Sequence, residues 1–223
     1  MQDQQAEIEW RDGGVPVSAR FDDPYFSLEN GLAETRHVFL DGNGLPGRFR
    51  DGFCIGELGF GTGLNFLTAV EAWQAAGAVG TLRFVSFEAF PMAAGDMALA
   101  LAAFPELAAL APELLAAWRL DGLAMQVGGA ELTVVIGDAR QRLATWEGVA
   151  DAWFLDGFSP AKNPELWEPA LMAEVARHTA PGGTAATYTA AGFVRRGLAE
   201  AGFTVTRKPG YGRKRHMTIA EKP

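Results

Sequence analysis

From residue 53 onward, short apolar runs alternate with segments of helical periodicity, and this alternation limits the folds open to the chain. The apolar runs predict five strands: Phe53–Leu58, Leu82–Phe87, Leu132–Ile136, Ala152–Leu155 and Gly183–Tyr188. Helices are predicted over residues 63–76, 93–117 (broken by two prolines), 139–146, 165–178 and 191–201. Because the strands are apolar throughout, both faces of their sheet must be covered, which indicates a mostly parallel, doubly wound α/β domain.

The two ends of the chain add smaller elements to this pattern. The first 20 residues alternate weakly around Asp12-Gly13-Gly14, which predicts a β-hairpin, and residues 28–40 carry a helical signal. Phe203–Arg207 and Arg215–Ala220 flank a loop containing Pro-Gly and predict a closing antiparallel hairpin. We therefore expect residues 1–50 to form an N-terminal appendage packed on a core domain of residues 51–223.

Composition excludes several classes of protein. Hydrophobic residues make up 48% of the chain, enough to fill a core, yet no apolar run approaches the roughly 20 residues of a membrane span. The N-terminus shows no secretory signal. Cys54 is the single cysteine and the three histidines are scattered, so neither a disulfide framework nor a metal site is expected. Together these features favour a cytoplasmic protein with no membrane partner.

A glycine-rich segment, Glu57 to Asn65, follows the first predicted strand and opens the first helix. Its glycines Gly59, Gly61 and Gly63 permit positive φ and close approach of a ligand to the backbone. A dinucleotide fingerprint needs G-x-G-x-x-G, whereas position 64 is leucine. The pattern E-x-G-x-G-x-G is instead similar to the first motif of S-adenosylmethionine (SAM)-dependent methyltransferases. A glycine-rich turn that binds no ligand is the alternative interpretation.

Three acidic residues stand at the ends of the next three predicted strands: Glu88, Asp138 and Asp156. A carboxylate at the position of Glu88 can accept hydrogen bonds from both ribose hydroxyls, as in other doubly wound folds. Asp138 could accept from an adenine amino group. Each residue alone could be a helix N-cap, but all three beside the glycine segment favour a nucleoside ligand.

The polar segment Asp156 to Pro164 follows the fourth predicted strand. In a methyltransferase it would lie opposite the methyl sulfonium, where the acceptor must sit. An acceptor amine has to be deprotonated and oriented for in-line displacement, and the Asp156 carboxylate can do both. Phe158 can pack against a base or a sulfonium cation. Asn163 before Pro164 is typical of a helix start, so we assign Asn163 a structural role.

These segments closely resemble the methyltransferase part of the tRNA 5-methylaminomethyl-2-thiouridine biosynthesis enzymes, the MnmC/MnmD family. The resemblance covers nearly the whole chain and is carried by residues 21–27, 30–39, 57–67, 151–164, 190–196 and 210–215. It implies a Rossmann-like class I SAM-dependent methyltransferase fold. It also implies methyl transfer from SAM to the exocyclic amine of 5-aminomethyl-uridine, usually 2-thiolated, at the tRNA wobble position.

The resemblance also implies roles for individual residues. SAM would be surrounded by Tyr25, Glu57, Gly59, Phe60, Gly61, Thr62, Gly63, Asn65, Glu88, Asp138 and Asp156. Asp156 is the implied catalytic residue, and Phe158, Pro160 and Lys162 would face the acceptor base. The implied partner is the tRNA anticodon stem-loop.

In many family members a C-terminal FAD-dependent oxidase domain first uncovers the amine. The expected domain content of this chain excludes that oxidase. A functional link to such an oxidase, or to the enzymes that install aminomethyl-uridine, is nevertheless implied.

The net charge of −8 speaks against a polyanionic partner, but the charge is unevenly spread. Residues 190–223 carry a net charge of +6, whereas the first 189 residues carry −14. We expect the basic residues of this tail to hold tRNA phosphates in a salt-sensitive way: Arg195, Arg196, Arg213, Lys214 and Arg215. A solvated basic face is the alternative interpretation.

Three other functions remain open from the residues alone. The chain could be a class I methyltransferase that acts on a small amine or a protein, a nicotinamide dehydrogenase, or a non-catalytic SAM- or RNA-binding module. The leucine at position 64 disfavours the dehydrogenase. A thiol mechanism is disfavoured because Cys54 falls within the first predicted strand, which predicts a buried core residue.

Overall fold

The computed structural model describes residues 5–11, 14–27 and 30–223. The strands are β1 (Ile8–Arg11), β2 (Val15–Ser18), β3 (Asp23–Pro24), β4 (Cys54–Leu58), β5 (Arg83–Glu88), β6 (Leu123–Val127), β7 (Ala130–Ile136), β8 (Ala150–Leu155), β9 (Thr179–Thr187), β10 (Thr204–Pro209) and β11 (His216–Glu221). The α-helices are α1 (Gly31–Thr35), α2 (Leu64–Ala75), α3 (Ala94–Leu101), α4 (Ala111–Ala117), α5 (Ala139–Arg142), α6 (Pro169–Arg177) and α7 (Gly192–Glu200). Single 3₁₀ turns cover Asp41–Asn43, Pro105–Leu107, Leu143–Thr145 and Pro164–Trp167, and a π-helical turn covers Arg36–Leu40.

Eight strands form the main sheet, in the order β10-β11-β9-β8-β4-β5-β7-β6. The five strands from β9 to β7 in that order run parallel, while β6 and the β10–β11 hairpin pair antiparallel. The predicted mostly parallel sheet with a closing antiparallel hairpin is therefore confirmed. The chain runs from β4 through β5 to β7 and then crosses back to β8, on the other side of β4. Ligands of such sheets bind at the carboxyl ends of the strands flanking this reversal.

The central strands are buried on both faces, as their apolar sequences predict. In β8, Ala152 and Phe154 belong to a hydrophobic cluster that includes residues of α2, α3 and α4. Trp153 and Leu155 belong to a second cluster that includes residues of α5, α6 and α7. Cys54 is buried in this second cluster, as predicted, and burial raises the pKa of its thiol to about 11. The two clusters are the two layers that cover the sheet.

The N-terminal elements pack against this core. β1, β2 and β3 form a separate antiparallel sheet, and Arg11 pairs with Val15 across the predicted turn, of which residues 12 and 13 lie outside the described residues. The Asn30 side chain accepts a hydrogen bond from Ala33 N and caps α1. The following π-helical turn contributes Val38, Phe39 and Leu40 to the first hydrophobic cluster. The helix predicted over residues 28–40 is thus continuous from Gly31 to Leu40, with a π-helical second half, and residues 28 and 29 lie outside the described residues.

Two other differences from the sequence prediction have simple causes. β6 was not predicted, because it is an edge strand whose alanine, methionine and glutamine favour a helix intrinsically. The helix predicted over residues 165–178 is a 3₁₀ turn followed by α6, which begins at Pro169 because proline cannot donate the hydrogen bond that would continue the preceding turn. Every helix in the described part of the chain is too short or too polar to cross a lipid bilayer.

Candidate active site

A cavity of about 980 Å³ opens where β4, β5, β7 and β8 end. Many residues singled out from the sequence line it: Tyr25, Gly59, Phe60, Gly61, Thr62, Asn65, Glu88, Asp138, Asp156, Phe158, Arg213 and Lys214. Others lie outside its lining: Glu57, Gly63, Pro160, Lys162, Arg195, Arg196 and Arg215. Gly63 has a packing reason to be glycine, because a Cβ there would lie 2.8 Å from Leu114 Cδ2.

The glycine loop meets the loop that follows β8. Gly59 has a φ of +84°, and a Cβ on it would lie 3.3 Å from the Cα of Gly157. Gly61 has a φ of +54°, and its N–H donates a 2.9 Å hydrogen bond to Glu88 Oε2. Glycine at these positions therefore gives the cavity a backbone floor that a larger residue would strain or fill.

Glu88 is buried at the end of β5 and holds two backbone segments. Its Oε1 accepts a 2.7 Å hydrogen bond from Phe90 N, and its Oε2 accepts the bond from Gly61 N. Burial raises the pKa of Glu88, while these N–H donors lower it. Glu88 therefore fixes the glycine loop, and its carboxyl group lines the cavity at the strand end where ribose hydroxyls are bound in other doubly wound folds.

Asp138 caps α5 rather than presenting a free carboxylate. Its Oδ1 accepts from Arg140 N at 2.9 Å, and its Oδ2 lies 2.6 Å from Arg140 Nη2. The hydrogen bond with the Arg140 guanidinium lowers the pKa of Asp138. Arg140 also lines the cavity, and sequence reasoning missed it because no motif marks it. The end of β7 therefore offers an ion pair to a ligand, and the N-cap interpretation of Asp138 is confirmed.

Four buried or half-buried polar side chains form a network at the cavity floor. Asn65 Nδ2 donates to Asp156 Oδ2 at 2.7 Å and to Glu57 Oε1 at 2.9 Å. Thr35 Oγ1 donates to Asn65 Oδ1 at 3.0 Å, which orients the amide toward the two carboxyl groups. Asp156 Oδ1 accepts from Gly157 N at 2.8 Å. Sequence analysis gave Thr35 no role, although it lies in one of the segments that carry the resemblance, because its contact with Asn65 spans 30 residues.

Burial raises the pKa values of the two carboxyl groups of this network above those of ordinary carboxyl groups. It raises the pKa of Asp156 to about 6, even though the bonds from Asn65 and Gly157 lower it. It raises the pKa of Glu57 to about 8, again against the bond from Asn65. At neutral pH Glu57 therefore keeps its proton, and Asp156 is an ionised group close to its pKa, which suits a base.

The N-terminal sheet forms one wall of the cavity and holds the loop after Asp156. The ring of Phe158 stacks on that of Phe21 with 4.8 Å between centroids. Ser159 N donates to Asp23 Oδ2 at 2.7 Å, and Lys162 Nζ pairs with Asp22 Oδ2 at 3.1 Å. Lys162, expected to face the substrate, instead ties this loop to the N-terminal sheet.

The other face of the same loop is also braced. Trp167 Nε1 donates to Phe158 O at 3.0 Å. Asn163 precedes the 3₁₀ turn as expected, but its side chain makes no capping hydrogen bond and lines the cavity instead. The prediction that Asn163 has a structural capping role is therefore wrong.

The basic tail is divided between the cavity and the surface. Lys214 lines the cavity, with its Nζ 2.8 Å from Glu34 Oε1. Desolvation lowers the pKa of His216, and the charges of Arg207, Arg215 and Arg195 lower it further. The three arginines thus lie within electrostatic range of the start of β11, and none of them lines the cavity.

Comparisons with known proteins agree with this arrangement. A family model described as S-adenosyl-L-methionine-dependent methyltransferase matches residues 105–223. The tRNA 5-methylaminomethyl-2-thiouridine biosynthesis bifunctional protein MnmC of Pseudomonas aeruginosa (strain UCBPP-PA14) is 52% identical over 96% of this chain. The chain spans about a third of that relative, 34% of its length. The crystal structure of MNMC2 from Aquifex aeolicus matches with a TM-score of 0.78 and 26% identity, over 99% of this chain and 72% of that one.

The cavity residues fit the cofactor of this family. The positive-φ glycines leave a cradle that a Cβ would fill, since a Cβ on Gly61 would lie 3.2 Å from the Tyr25 ring. The buried carboxylate of Glu88 suits ribose hydroxyls, and the cavity has room for a nucleoside with an amino-acid chain. The chain belongs to the family of S-adenosyl-L-methionine-dependent methyltransferases, with MnmC and MNMC2 among its relatives.

Proposed function

We propose that the chain transfers a methyl group from SAM to the exocyclic amine of 5-aminomethyl-uridine, or its 2-thio form, at the tRNA wobble position. The product would be 5-methylaminomethyl-(2-thio)uridine. The name of the relative at 52% identity supports this nucleoside. The observation that carries the chemistry is the carboxylate of Asp156, with a pKa of about 6, beside the glycine loop.

SAM, when bound, supplies an electrophilic methyl group that bonds to the nitrogen lone pair, while the electrons of the broken C–S bond stay on sulfur. Glu88 and the backbone at Gly59 and Gly61 are the groups we assign to holding it. Asp156 accepts an N–H bond from the acceptor amine, orients it and takes up its proton. A primary amine is protonated in neutral water and has no free lone pair, so proton removal is the step that this carboxylate serves.

For tRNA docking, we propose the surface around His216, with Arg195 and Arg215 as phosphate contacts, and we extend the proposal to Arg196 and Arg213. The concentration of positive charge near the start of β11, where the neighbouring loop lines the cavity, supports this. Chemistry on an anticodon base requires an unstacked nucleotide to enter the cavity. Phe158 is the ring we expect to contact that base, with Pro160 beside it.

The proposal extends to the setting of the enzyme. We propose that residues 51–223 form the catalytic domain, with residues 1–50 as an appendage that completes the cavity wall. We also propose a cytoplasmic location, where tRNA is modified, and a functional link to an FAD-dependent oxidase or to the enzymes that install aminomethyl-uridine.

Two experiments test the function. Transfer of radiolabelled methyl groups from SAM should occur to bulk tRNA that carries 5-aminomethyl-uridine, and not to small amines or proteins. Nucleoside mass spectrometry of tRNA from cells that lack the chain should show accumulation of the unmethylated aminomethyl-uridine. Label in small amines or protein with none in tRNA would refute the proposal in favour of another class I methyltransferase.

A further inference from the structure

A primary ammonium group of the chain itself lies in the cavity. Lys214 Nζ is 2.8 Å from Glu34 Oε1 and 4.1 Å from the centroid of the Tyr188 ring. The Glu34 side chain is only 11% exposed, whereas that of Lys214 is 45% exposed. The Glu34 carboxylate therefore belongs to the buried wall of the cavity. Lys214 contacts it from the more exposed side.

A carboxylate and an aromatic face are both groups that proteins use to hold an ammonium. Here both are fixed in place. Glu34 belongs to α1, whose first turn is capped by Asn30. The Tyr188 hydroxyl donates to Gly157 O at 2.8 Å, which ties the ring to the loop that begins with Asp156.

This ammonium position adjoins the reacting end of the cavity. Glu34, Tyr188 and Lys214 line the same cavity as Asp156. Lys214 and Glu34 both interact electrostatically with Asp156: Lys214 lowers the pKa of Asp156 and Glu34 raises it. An amine held by Glu34 and Tyr188 would thus lie within the field of the carboxylate that takes its proton.

We propose that Glu34 and Tyr188 form the subsite for the acceptor's primary ammonium, and that Lys214 occupies this subsite until the substrate displaces it. The inference rests on the proposed function, because it takes an aminomethyl-uridine as the acceptor. The incoming ammonium replaces one ion pair of Glu34 with another, so the exchange conserves charge. A uridine without the amine offers no cation and leaves Lys214 in place, which makes the lysine a specificity-determining residue.

The competing role for Lys214, a contact to tRNA phosphates, makes an opposite prediction. In that role Lys214→Ala would weaken tRNA binding, and the binding of a nucleoside without phosphate would be unaffected. Displacement from an amine subsite predicts instead that the nucleoside binds more tightly once the lysine side chain is gone.

The test measures binding of two probes, 5-aminomethyluridine and uridine, by calorimetry. Lys214→Ala should bind 5-aminomethyluridine about three- to tenfold more tightly than the wild type, with the affinity for uridine unchanged. Glu34→Gln, which keeps the shape of the side chain, should bind 5-aminomethyluridine about tenfold more weakly. The matched control is Lys208→Ala, an exposed lysine of β10 outside the cavity, which should behave as the wild type.

The outcomes separate this subsite from the proposed function. Unchanged or weaker nucleoside binding by Lys214→Ala, wild-type binding by Glu34→Gln, or no binding of the nucleoside by any variant at millimolar concentration overturns the subsite. Thermal unfolding of each variant shows whether the fold is retained. Methyl transfer by the wild type to tRNA bearing 5-aminomethyl-uridine is measured in parallel. If that transfer occurs without the binding pattern, only the subsite fails; if it does not occur, the proposed function fails.

Discussion

Asn65 Nδ2 donates a 2.7 Å hydrogen bond to Asp156 Oδ2, across 91 residues of sequence. The same amide nitrogen donates to Glu57 Oε1, so one side chain at the start of α2 joins the ends of β4 and β8. These strands flank the point where the strand order reverses. Asn65 therefore positions the proposed base, and Thr35 positions Asn65 in turn.

Replacing Asn65 with alanine should lower kcat by at least about tenfold, because Asp156 and Glu57 then lose a shared buried donor worth about 1–3 kcal/mol. The acid limb of the pH–rate profile should move to higher pH, since the hydrogen bond that is removed favours the ionised Asp156. Thr35→Val, which keeps the shape but removes the hydroxyl, should move the limb in the same direction by less. Steady-state kinetics across pH measure both, and an unmoved limb in Asn65→Ala would argue against positioning.

Asp156→Ala should retain SAM binding but lose most turnover. General base catalysis contributes about 100-fold or more, so a loss of that order is expected in kcat. Calorimetry with SAM and single-turnover methyl transfer separate the two effects. Turnover equal to the wild type would remove Asp156 from the mechanism.

The activity should fall on the acid side with a midpoint near pH 6, the pKa of Asp156. Below this pH Asp156 is protonated and cannot accept a proton, so kcat/KM should fall about tenfold for each further pH unit. Burial raises this midpoint above the usual pKa of an aspartate, and among the charged groups Lys214 lowers it while Glu34 raises it. A profile that is flat from pH 5 to 8, measured on tRNA substrate, would contradict Asp156 as the base.

Glu57 should make the fold less stable as pH rises. A carboxyl group whose pKa is raised by folding binds its proton more tightly in the folded state, so stability is lost as pH rises from the ordinary value of 4.5 through about 8. The free energy of unfolding should fall by up to about 1.4 kcal/mol per pH unit in this window.

Chemical denaturation at several pH values measures the stability effect of Glu57. Glu57→Gln should remove most of the decline above pH 6, because its amide oxygen can still accept from Asn65 but does not titrate. Glu147→Gln, at an exposed position, is the matched control and should keep the wild-type slope. A decline above pH 6 that persists in Glu57→Gln would assign the stability loss to another group.

Alanine at both Arg195 and Arg215 should weaken tRNA binding and lower its salt dependence. For each phosphate that an arginine no longer neutralises, the slope of log K against log salt should fall by about 0.7 to 0.9. The control is Arg83→Ala. Arg83 lies at the amino-terminal end of β5, opposite the strand ends that form the cavity, so this variant should leave the tRNA affinity and its salt slope unchanged. Filter binding at several salt concentrations gives both quantities, and a slope unaffected by the double variant would place tRNA elsewhere.

Much of the fold could be predicted because its signals are local. The apolar run at Ala152–Leu155 and the glycines from 59 to 63 each specify a strand or a turn through their own residues. β6 could not be predicted in this way, since it is a strand only because β7 offers it a pairing edge. The π-helical second half of the helix over residues 31–40 was likewise not predicted, and its Val38 and Phe39 pack against the distant core.

The site could be predicted only where a motif marks it. The carboxyl ends of the strands are where ligands bind in doubly wound sheets. Asp156, Glu88 and the glycine loop all lie there, so their positions in the sequence were enough to predict them. Thr35 and Glu34 reach the cavity from α1, and nothing in their local sequence records the distant residues they contact. Lys162 shows the converse. It belongs to a distinctive motif, yet it forms an ion pair with Asp22, which adjoins the N-terminal sheet.

The wall formed by the N-terminal sheet has a consequence for biosynthesis. Asp22 and Asp23 are made before their partners Ser159 and Lys162, which emerge about 140 residues later. Lys214, the partner of Glu34, is made later still. We expect the cavity to close only after Lys214 has left the ribosome, because such long-range contacts form last. A nascent chain held short of residue 214 should therefore lack both the contact from Lys214 to Glu34 and strand β11, so that neither the cavity nor the sheet is complete.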